Sequence, residues 1–196
     1  MVEKKNTSQN YGAIARYLHW ATALLFLLAY MAVYYRHWFT ERQTAENLVA
    51  LDLHLSAGIS VGVLVILRII WRNMNVQPTL EPGPKWQQLS VHFVHYTLYA
   101  IMILMPLSGY LGTGRATDFF FLFEIPKFSD TWLFDVWVWD YLGLTFEEFE
   151  KPIDFFHKEI MGAWLVWILI SGHAAAALYH HFKLKDRTLI KMSRGL

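Results

Sequence analysis

The stretch His157–His181, HKEIMGAWLVWILISGHAAAALYHH, most narrows what this chain can fold into. It is an apolar run long enough to cross a bilayer, which takes about 20 residues of helix. Histidines stand at both its ends, and His173 lies well inside. An imidazole at that depth is costly unless it has a partner or a function. The chain has no cysteine, so the simplest use of a buried neutral imidazole is to give a ring nitrogen to a metal. Partner histidines should then sit at matching depths on other helices.

Composition supports the membrane reading. The chain is 55% apolar and 17% aromatic with only 17% charged residues, too apolar for a soluble domain of 196 residues. One domain is expected over residues 1–196. A net charge of +1 gives no field suited to nucleic acid. The absence of cysteine excludes disulfides, thiolate iron–sulfur ligation, thioether-linked haem and Cys-type zinc sites.

Three further apolar runs precede the opening one: Tyr17–Tyr35, Leu53–Trp71 and Leu89–Thr113. The expected fold class is all-α, a transmembrane four-helix bundle with helices near 14–36, 52–72, 89–113 and 155–182. QPTLEPGPK, between the second and third runs, cannot continue a helix. Pro106, Ser108 and Gly109 predict a kink late in the third, tolerable in a membrane. The polar start, MVEKKNTSQNYGAIARY, reads as a cytoplasmic leader and not as a removable signal. Lys4, Lys5, Arg16, Arg68, Arg72, Lys85, Lys183, Lys185, Arg187, Lys191 and Arg194 fall on one side of such a bundle. Arg36, Arg42, Arg115, Lys127, Lys151 and Lys158 fall on the other. Eleven against six predicts both termini in the cytoplasm, with a long periplasmic loop between helices three and four.

That loop, Gly114–Pro152, carries eight carboxylates against Arg115, Lys127 and Lys151, interleaved with Phe and Trp. Two readings stand for it. One is short helices resting on lipid headgroups as an aromatic belt; the other is a docking surface for a basic partner.

The topology sets the depth of each histidine. His19 and His173 fall towards the cytoplasmic face, and His54 and His157 towards the outer face. A bis-imidazole pair between facing helices is how a bundle holds a non-covalent b-type haem. Ala23, Gly58, Gly62 and Gly172 are the small residues that would make room for two porphyrins. His92 and His95 share a helical face and compete for the inner haem, with an interfacial or hydrogen-bonding role the favoured reading. His180 and His181 lie at the inner boundary, where one could hydrogen-bond a quinone head group; His37 reads as a solvated loop residue. Arg16, Arg68 and Arg72 are candidates to neutralise haem propionates on the cytoplasmic side.

R-x-L-H-W at 16–20, L-H-L-S-A-G at 53–58, H-x-x-H at 92–95 and G-H-A-A-A-A-L-Y-H-H-F-x-x-K-D-x-T-L at 172–189 resemble the bacterial cytochrome b561 family over nearly the whole chain. The resemblance implies a bacterial inner-membrane protein with two haem b groups, axial ligation by His19, His54, His157 and His173, and a ubiquinone site near His180. The implied function is electron transfer between ubiquinone and a periplasmic redox partner. Superoxide:ubiquinone oxidoreductase activity and anchoring of a larger dehydrogenase are the alternatives.

Two features depart from that family's pattern. Its helix-four ligands stand about fourteen residues apart, close to four whole turns at about 100° per residue. Here the interval from His157 to His173 is sixteen, which puts the rings on nearly opposite faces of an ideal α-helix. A non-helical lead-in, a bulge that corrects the phase, or another outer ligand would each resolve it. The acidic loop is the second departure, because carboxylates beside an outer haem repel a superoxide anion unless the loop folds away.

Overall fold

The computed structural model describes residues 3–194, so the first two residues of the leader and the last two of the tail lie outside the described residues. Four helices are long and apolar enough to cross a membrane: α1, Ala13–Phe39; α2, Ala45–Met74; α3, Lys85–Leu111; and α4, the continuous helical run Phe146–Leu184. At about 1.5 Å per residue, even the 27-residue helices exceed the roughly 30 Å hydrocarbon core. The fold class is therefore the all-α membrane bundle expected from the four apolar runs. Large apolar side chains such as Leu24, Met31, Ile66, Leu107 and Ile168 are exposed, as lipid-facing residues are.

Each helix has a local reason for its ends. Thr44 caps α2 by accepting from the Asn47 N–H, which moves the start well ahead of the apolar run. Thr145 and Glu148 form a capping box at the head of α4, the Glu148 carboxylate accepting from the Thr145 N–H at 2.9 Å. Lys185 ends α4 in the left-handed conformation (φ 57°). Pro106 lies within α3, which continues to Leu111.

Small residues on α2, Ala57, Val61 and Val65, are buried in the bundle. On the α1–α4 contact, Tyr30 donates its hydroxyl to the Gly162 carbonyl, and Trp167 donates its indole N–H to Tyr34 at 2.9 Å. Tyr30, Ile101, Met105, Met161 and Val166 form the core cluster there.

α4 is not uniformly α-helical. It winds as a π-helix over Phe156–Leu165, returns to α over Val166–Tyr179, and closes with a π turn at His180–Leu184. Each i→i+5 turn takes about one residue more than an α turn. Sixteen steps with two such turns therefore cover the rotation of about fourteen α steps, roughly 1400°, within about 40° of four full turns. Of the three ways to reconcile the sixteen-residue interval, the chain uses a phase correction inside the helix.

The two ends of the bundle are built differently. At the terminal end, the leader, the α2–α3 connection and the tail are knitted together. Asn6 donates to the Val76 carbonyl, Thr79 N–H donates to Ser8, and Lys191 reaches both Glu81 and the Thr79 carbonyl. A short helix, α5 (Thr188–Ser193), closes the tail.

At the other end the loop folds into a small hairpin, β1 (Thr117–Phe119) with β2 (Phe123–Ile125), followed by a π-helical segment at Phe134–Tyr141. Phe128, Phe134 and Val138 make its own small core. The sequence reading of short interfacial helices holds for TWLFDVWVWDYL, which winds into the Phe134–Tyr141 segment, but FFFLFEIP instead forms the hairpin. Its turn places Phe120 and Phe121 at positive φ (45° and 62°), a conformation bulky residues rarely adopt. Contacts from α2 hold it there: Ser56 Oγ accepts the Phe120 N–H at 2.9 Å, and Asp52 takes the Asp118 N–H and the Arg115 guanidinium, each at 3.2 Å.

Candidate haem sites at the two ends of the bundle

His54 enters from the third turn of α2 and His157 from the π-wound segment of α4 that follows its first α-helical turns. Their ring centres lie 6.2 Å apart. At the terminal end, His19 of α1 and His173 of α4 lie 6.3 Å apart. A metal ion that takes one ring nitrogen from each side at about 2 Å holds two imidazole centres roughly 6 Å apart. Both pairs have the spacing of a ligand pair with room for an ion between them. Among the described residues, no group of three or more His, Cys, Asp or Glu is arranged to hold a metal ion. The four histidines thus suit a group that brings its own equatorial ligands, as a porphyrin does.

The neighbours of the hairpin-end pair hold both rings in one tautomer. His54 Nδ1 lies 2.9 Å from the Ala29 carbonyl, and His157 Nδ1 lies 3.1 Å from the Met105 carbonyl. A carbonyl only accepts, so each Nδ1 carries the proton and each Nε2 keeps its lone pair free. A metal-bound histidine is commonly oriented by this kind of outer hydrogen bond. Ser108 Oγ stands 3.1 Å from His157 Nδ1 and donates to the same Met105 carbonyl.

Gly109 is a residue of the candidate hairpin-end site that sequence reasoning missed. A Cβ there would come within 2.9 Å of the His157 ring, so only glycine lets the ring sit against α3. The Pro-x-Ser-Gly sequence at 106–109 was the available signal, but it points equally to a kink. Of the glycines read as space for a porphyrin, Gly58 and Gly172 do open onto free space, whereas a Cβ at Gly62 would press on Pro106 at 3.3 Å. Gly62 therefore serves helix packing.

The terminal-end pair has different surroundings. The Arg68 guanidinium donates to His19 Nδ1 at 3.2 Å, so Nε2 of His19 becomes free for a metal only when Arg68 turns to another acceptor; Arg68 also reaches Met102 Sδ at 3.5 Å and lies over the Tyr99 ring at 5.4 Å. His95 brings a third imidazole, 5.5 Å from His173, a tighter edge-on contact than the two ligand-like spacings. His92 is exposed beside Tyr96, and His37 is exposed in the last turn of α1 rather than in a loop. Arg16 Nε and Trp71 Nε1 are buried donors without a hydrogen-bond partner. A buried unpaired donor is costly, and the carboxylates of a haem would supply the missing acceptors.

His180, the quinone candidate, sits where three segments meet. Its Nδ1 pairs with Asp186, and its Nε2 lies 2.9 Å from the Gln87 amide at the start of α3.

A four-helix membrane bundle with two histidine pairs of haem-ligand spacing defines a membrane haem protein. The chain belongs to the prokaryotic cytochrome b561 family, whose pattern it matches over residues 10–195. It is 31% identical over 182 residues to cytochrome b561 homolog 1 of Escherichia coli (strain K12), covering 90% of this chain and 92% of the relative. Cytochrome b561 homolog 2 of the same organism is 28% identical over 203 residues, covering 95% and 93%. The probable superoxide oxidase CybB of Yersinia pestis is 25% identical over 186 residues, covering 94% and 96%. The chain is thus a multi-pass bacterial membrane protein that binds haem b and serves electron transfer.

Proposed function

We propose that the chain is a di-haem b cytochrome of the bacterial inner membrane that carries electrons between ubiquinone and a periplasmic redox partner. The observation that carries this reading is the presence of two ligand-like histidine pairs, one at each end of one bundle, 6.2 and 6.3 Å between ring centres. Haem supplies reversible one-electron carriage at each site, and a pair of sites makes a relay from face to face. His54 and His157 hold the outer group and His19 and His173 the inner one. The Ala29 and Met105 carbonyls fix the outer tautomers, and Arg68, Arg16 and Trp71 provide donors for haem carboxylates at the inner site. The Lys/Arg asymmetry supports placing the termini, the inner pair and the His180 quinone site in or near the cytoplasm.

Pyridine haemochrome on detergent-purified protein, with a reduced-minus-oxidised spectrum, tests the core of the proposal. Two b haems per chain are expected. One haem removes the transmembrane relay, and none ends the reading.

The Yersinia pestis relative's description as a probable superoxide oxidase favours a second reading, in which superoxide is the donor, with ubiquinone at the proposed His180 site as the acceptor. Against it stand exposed carboxylates at the hairpin end, including Asp118, Glu124, Asp135 and Asp140. Stopped-flow mixing with superoxide separates the two: haem reduction faster than background supports superoxide oxidation, and reduction at background rate leaves the protein-partner reading.

A further inference from the structure

We propose that Asp186, His180 and Gln87 form a proton-exchange relay for the quinone, with Asp186 as its positioning residue and Gln87 as the group that the head group displaces. The inference rests on the quinone site proposed at His180, and adds how that site handles protons. Any two-electron exchange with a quinone moves two protons with the two electrons, so an electron site alone is incomplete.

The geometry of the relay is specific. Asp186 follows the left-handed residue Lys185, and its backbone N–H donates to the His180 carbonyl at 3.2 Å, so the chain folds back over the end of α4. This return brings the Asp186 carboxylate onto His180 Nδ1. Its other oxygen accepts the Thr188 N–H at 2.9 Å, and the Thr188 hydroxyl stands 3.3 Å from the same ring nitrogen. On the far side of the ring, the Gln87 amide nitrogen lies 2.9 Å from Nε2. An amide N–H only donates, so Nε2 is the acceptor and Nδ1 carries the proton towards Asp186. The hydrogen bonds on both sides of the ring agree on one tautomer.

The side chains are nearly enclosed, His180 being 14% and Asp186 17% exposed. Asp186 is partly buried, which alone would raise its pKa. The Thr188 N–H and the His180 and Thr188 side chains outweigh burial and hold it below its ordinary value, so it is ionised at neutral pH. Tyr179 packs edge-on to the ring, and Lys191 of α5 turns away to Glu81. Asp186 is thus the carboxylate in contact with His180. Gly83 leaves space for Gln87, since a Cβ there would fall 2.6 Å from the Gln87 amide oxygen.

A neutral Nε2 lone pair accepts from a hydroquinone O–H once Gln87 gives way. A haem held at the inner site would take one electron from the hydroquinone, and with it one O–H proton crosses to Nε2. The O–H bond breaks, an N–H bond forms, and the ionised Asp186 balances the imidazolium. The imidazolium then loses this proton to water, and the second O–H repeats the exchange with the second electron. Reduction of a quinone runs through the same atoms in reverse. The arrangement shares its physics with any histidine base oriented by a buried carboxylate.

The test uses the haem-loaded full chain in nanodiscs, mixed with ubiquinol-1, with haem reduction followed by stopped-flow absorbance in water and in deuterium oxide. In the wild type the reaction is slower in deuterium oxide. Asp186→Asn is expected to slow the reaction about tenfold and to change that solvent-deuterium effect, with haem content and midpoint potentials unchanged. Asp186→Glu should restore both, and His180→Gln should lower the rate and abolish the deuterium effect. A rate and deuterium effect unchanged in Asp186→Asn, while His180→Gln is impaired, overturns the relay and leaves the quinone site standing. Wild-type rates in His180→Gln overturn the quinone site and the relay together. If Asp186→Asn fails to assemble, the solvent-deuterium effect decides: slowing in the wild type that vanishes in His180→Gln supports the relay, and equal slowing in both overturns it.

Discussion

Removing the proposed haem ligands singly and in pairs asks which histidines share a group. His54 and His157 are 6.2 Å apart with both Nδ1 atoms hydrogen-bonded to backbone carbonyls, so both Nε2 atoms are free for one ion. Loss of an outer hydrogen bond to a metal-bound histidine costs about 10–100-fold in affinity, and loss of the ligand itself should exceed the upper figure, about 2.7 kcal/mol. At micromolar protein in detergent, His157→Ala should fall from about two haems per chain to about one, and His54→Ala should do the same. The informative variant is the double. If the two residues share a site, His54→Ala/His157→Ala keeps one haem, because the second substitution removes nothing further. A cross pair such as His157→Ala/His173→Ala should keep none.

His95 is the control for the inner site. Its ring centre is 5.5 Å from His173, shorter than the 6.3 Å of His19 and His173, and His95→Ala should retain both haems. Haem counted by pyridine haemochrome, with a redox titration resolving one component or two, reads all of these. Two intact six-coordinate haems in His157→Ala, or a double variant poorer in haem than either single, would refute the outer pairing. Loss of the inner haem in His95→Ala but not in His19→Ala would reassign the inner one.

Other outcomes follow from local contacts. Gly109→Ala places a methyl 2.9 Å from the His157 ring, and overpacking costs of about 1–3 kcal/mol predict outer-haem affinity lowered some 5- to 150-fold, measured by haem retention during dilution. Asp52→Ala releases Arg115 and the Asp118 N–H, so the hairpin should become the first site of chymotrypsin cleavage, at Phe119–Phe123; unchanged cleavage would show that Ser56 alone holds it. Replacing Phe120-Phe121 by Asn-Gly suits the positive φ values and should raise thermal stability by a few degrees, whereas a fall would mean the two rings pack for a reason beyond the turn. Because Asp186 titrates lower in the folded state than in the unfolded one, its stabilisation of the tail is present above the ordinary carboxylate pKa of about 4 and is lost as pH falls through the lowered value. Hydrogen exchange at residues 185–194 should therefore stay slow at pH 5 and quicken only below about pH 4, and a tail that loosens already between pH 6 and 5 contradicts the assignment.

The bundle was legible because lipid leaves few alternatives: four apolar runs without internal polar partners must be helices, and their connections must be short or folded outside. The histidines were legible for a related reason, since antiparallel crossing fixes depth, and depth alone brings His19 to His173 and His54 to His157. What the sequence hid depends on single backbone conformations. The hairpin needs two phenylalanines at positive φ, against their own preference, and becomes readable only when Asp52 and Ser56 are seen across from it. The role of Gly109 was hidden likewise, because it depends on the rotation of a helix that approaches from fifty residues away in the chain.

That rotation is where sequence and structure part most usefully. An ideal α-helix over the sixteen residues from His157 to His173 would turn the two rings away from each other, and one of them would face lipid or packing instead of its partner. Winding Phe156–Leu165 as a π-helix absorbs the surplus without breaking the backbone hydrogen-bond ladder, which a span in lipid cannot leave open. A loop at the same place would correct the phase but expose unpaired N–H and C=O groups at the membrane edge. The π segment starts one residue before His157, so the correction lies between the two histidines, and His157 meets Met105 and Ser108 on α3 while His173 still faces His19. The interval that looked like an argument against the outer pair is thus met by the one helical deformation that keeps the backbone bonded and still turns both imidazoles inward.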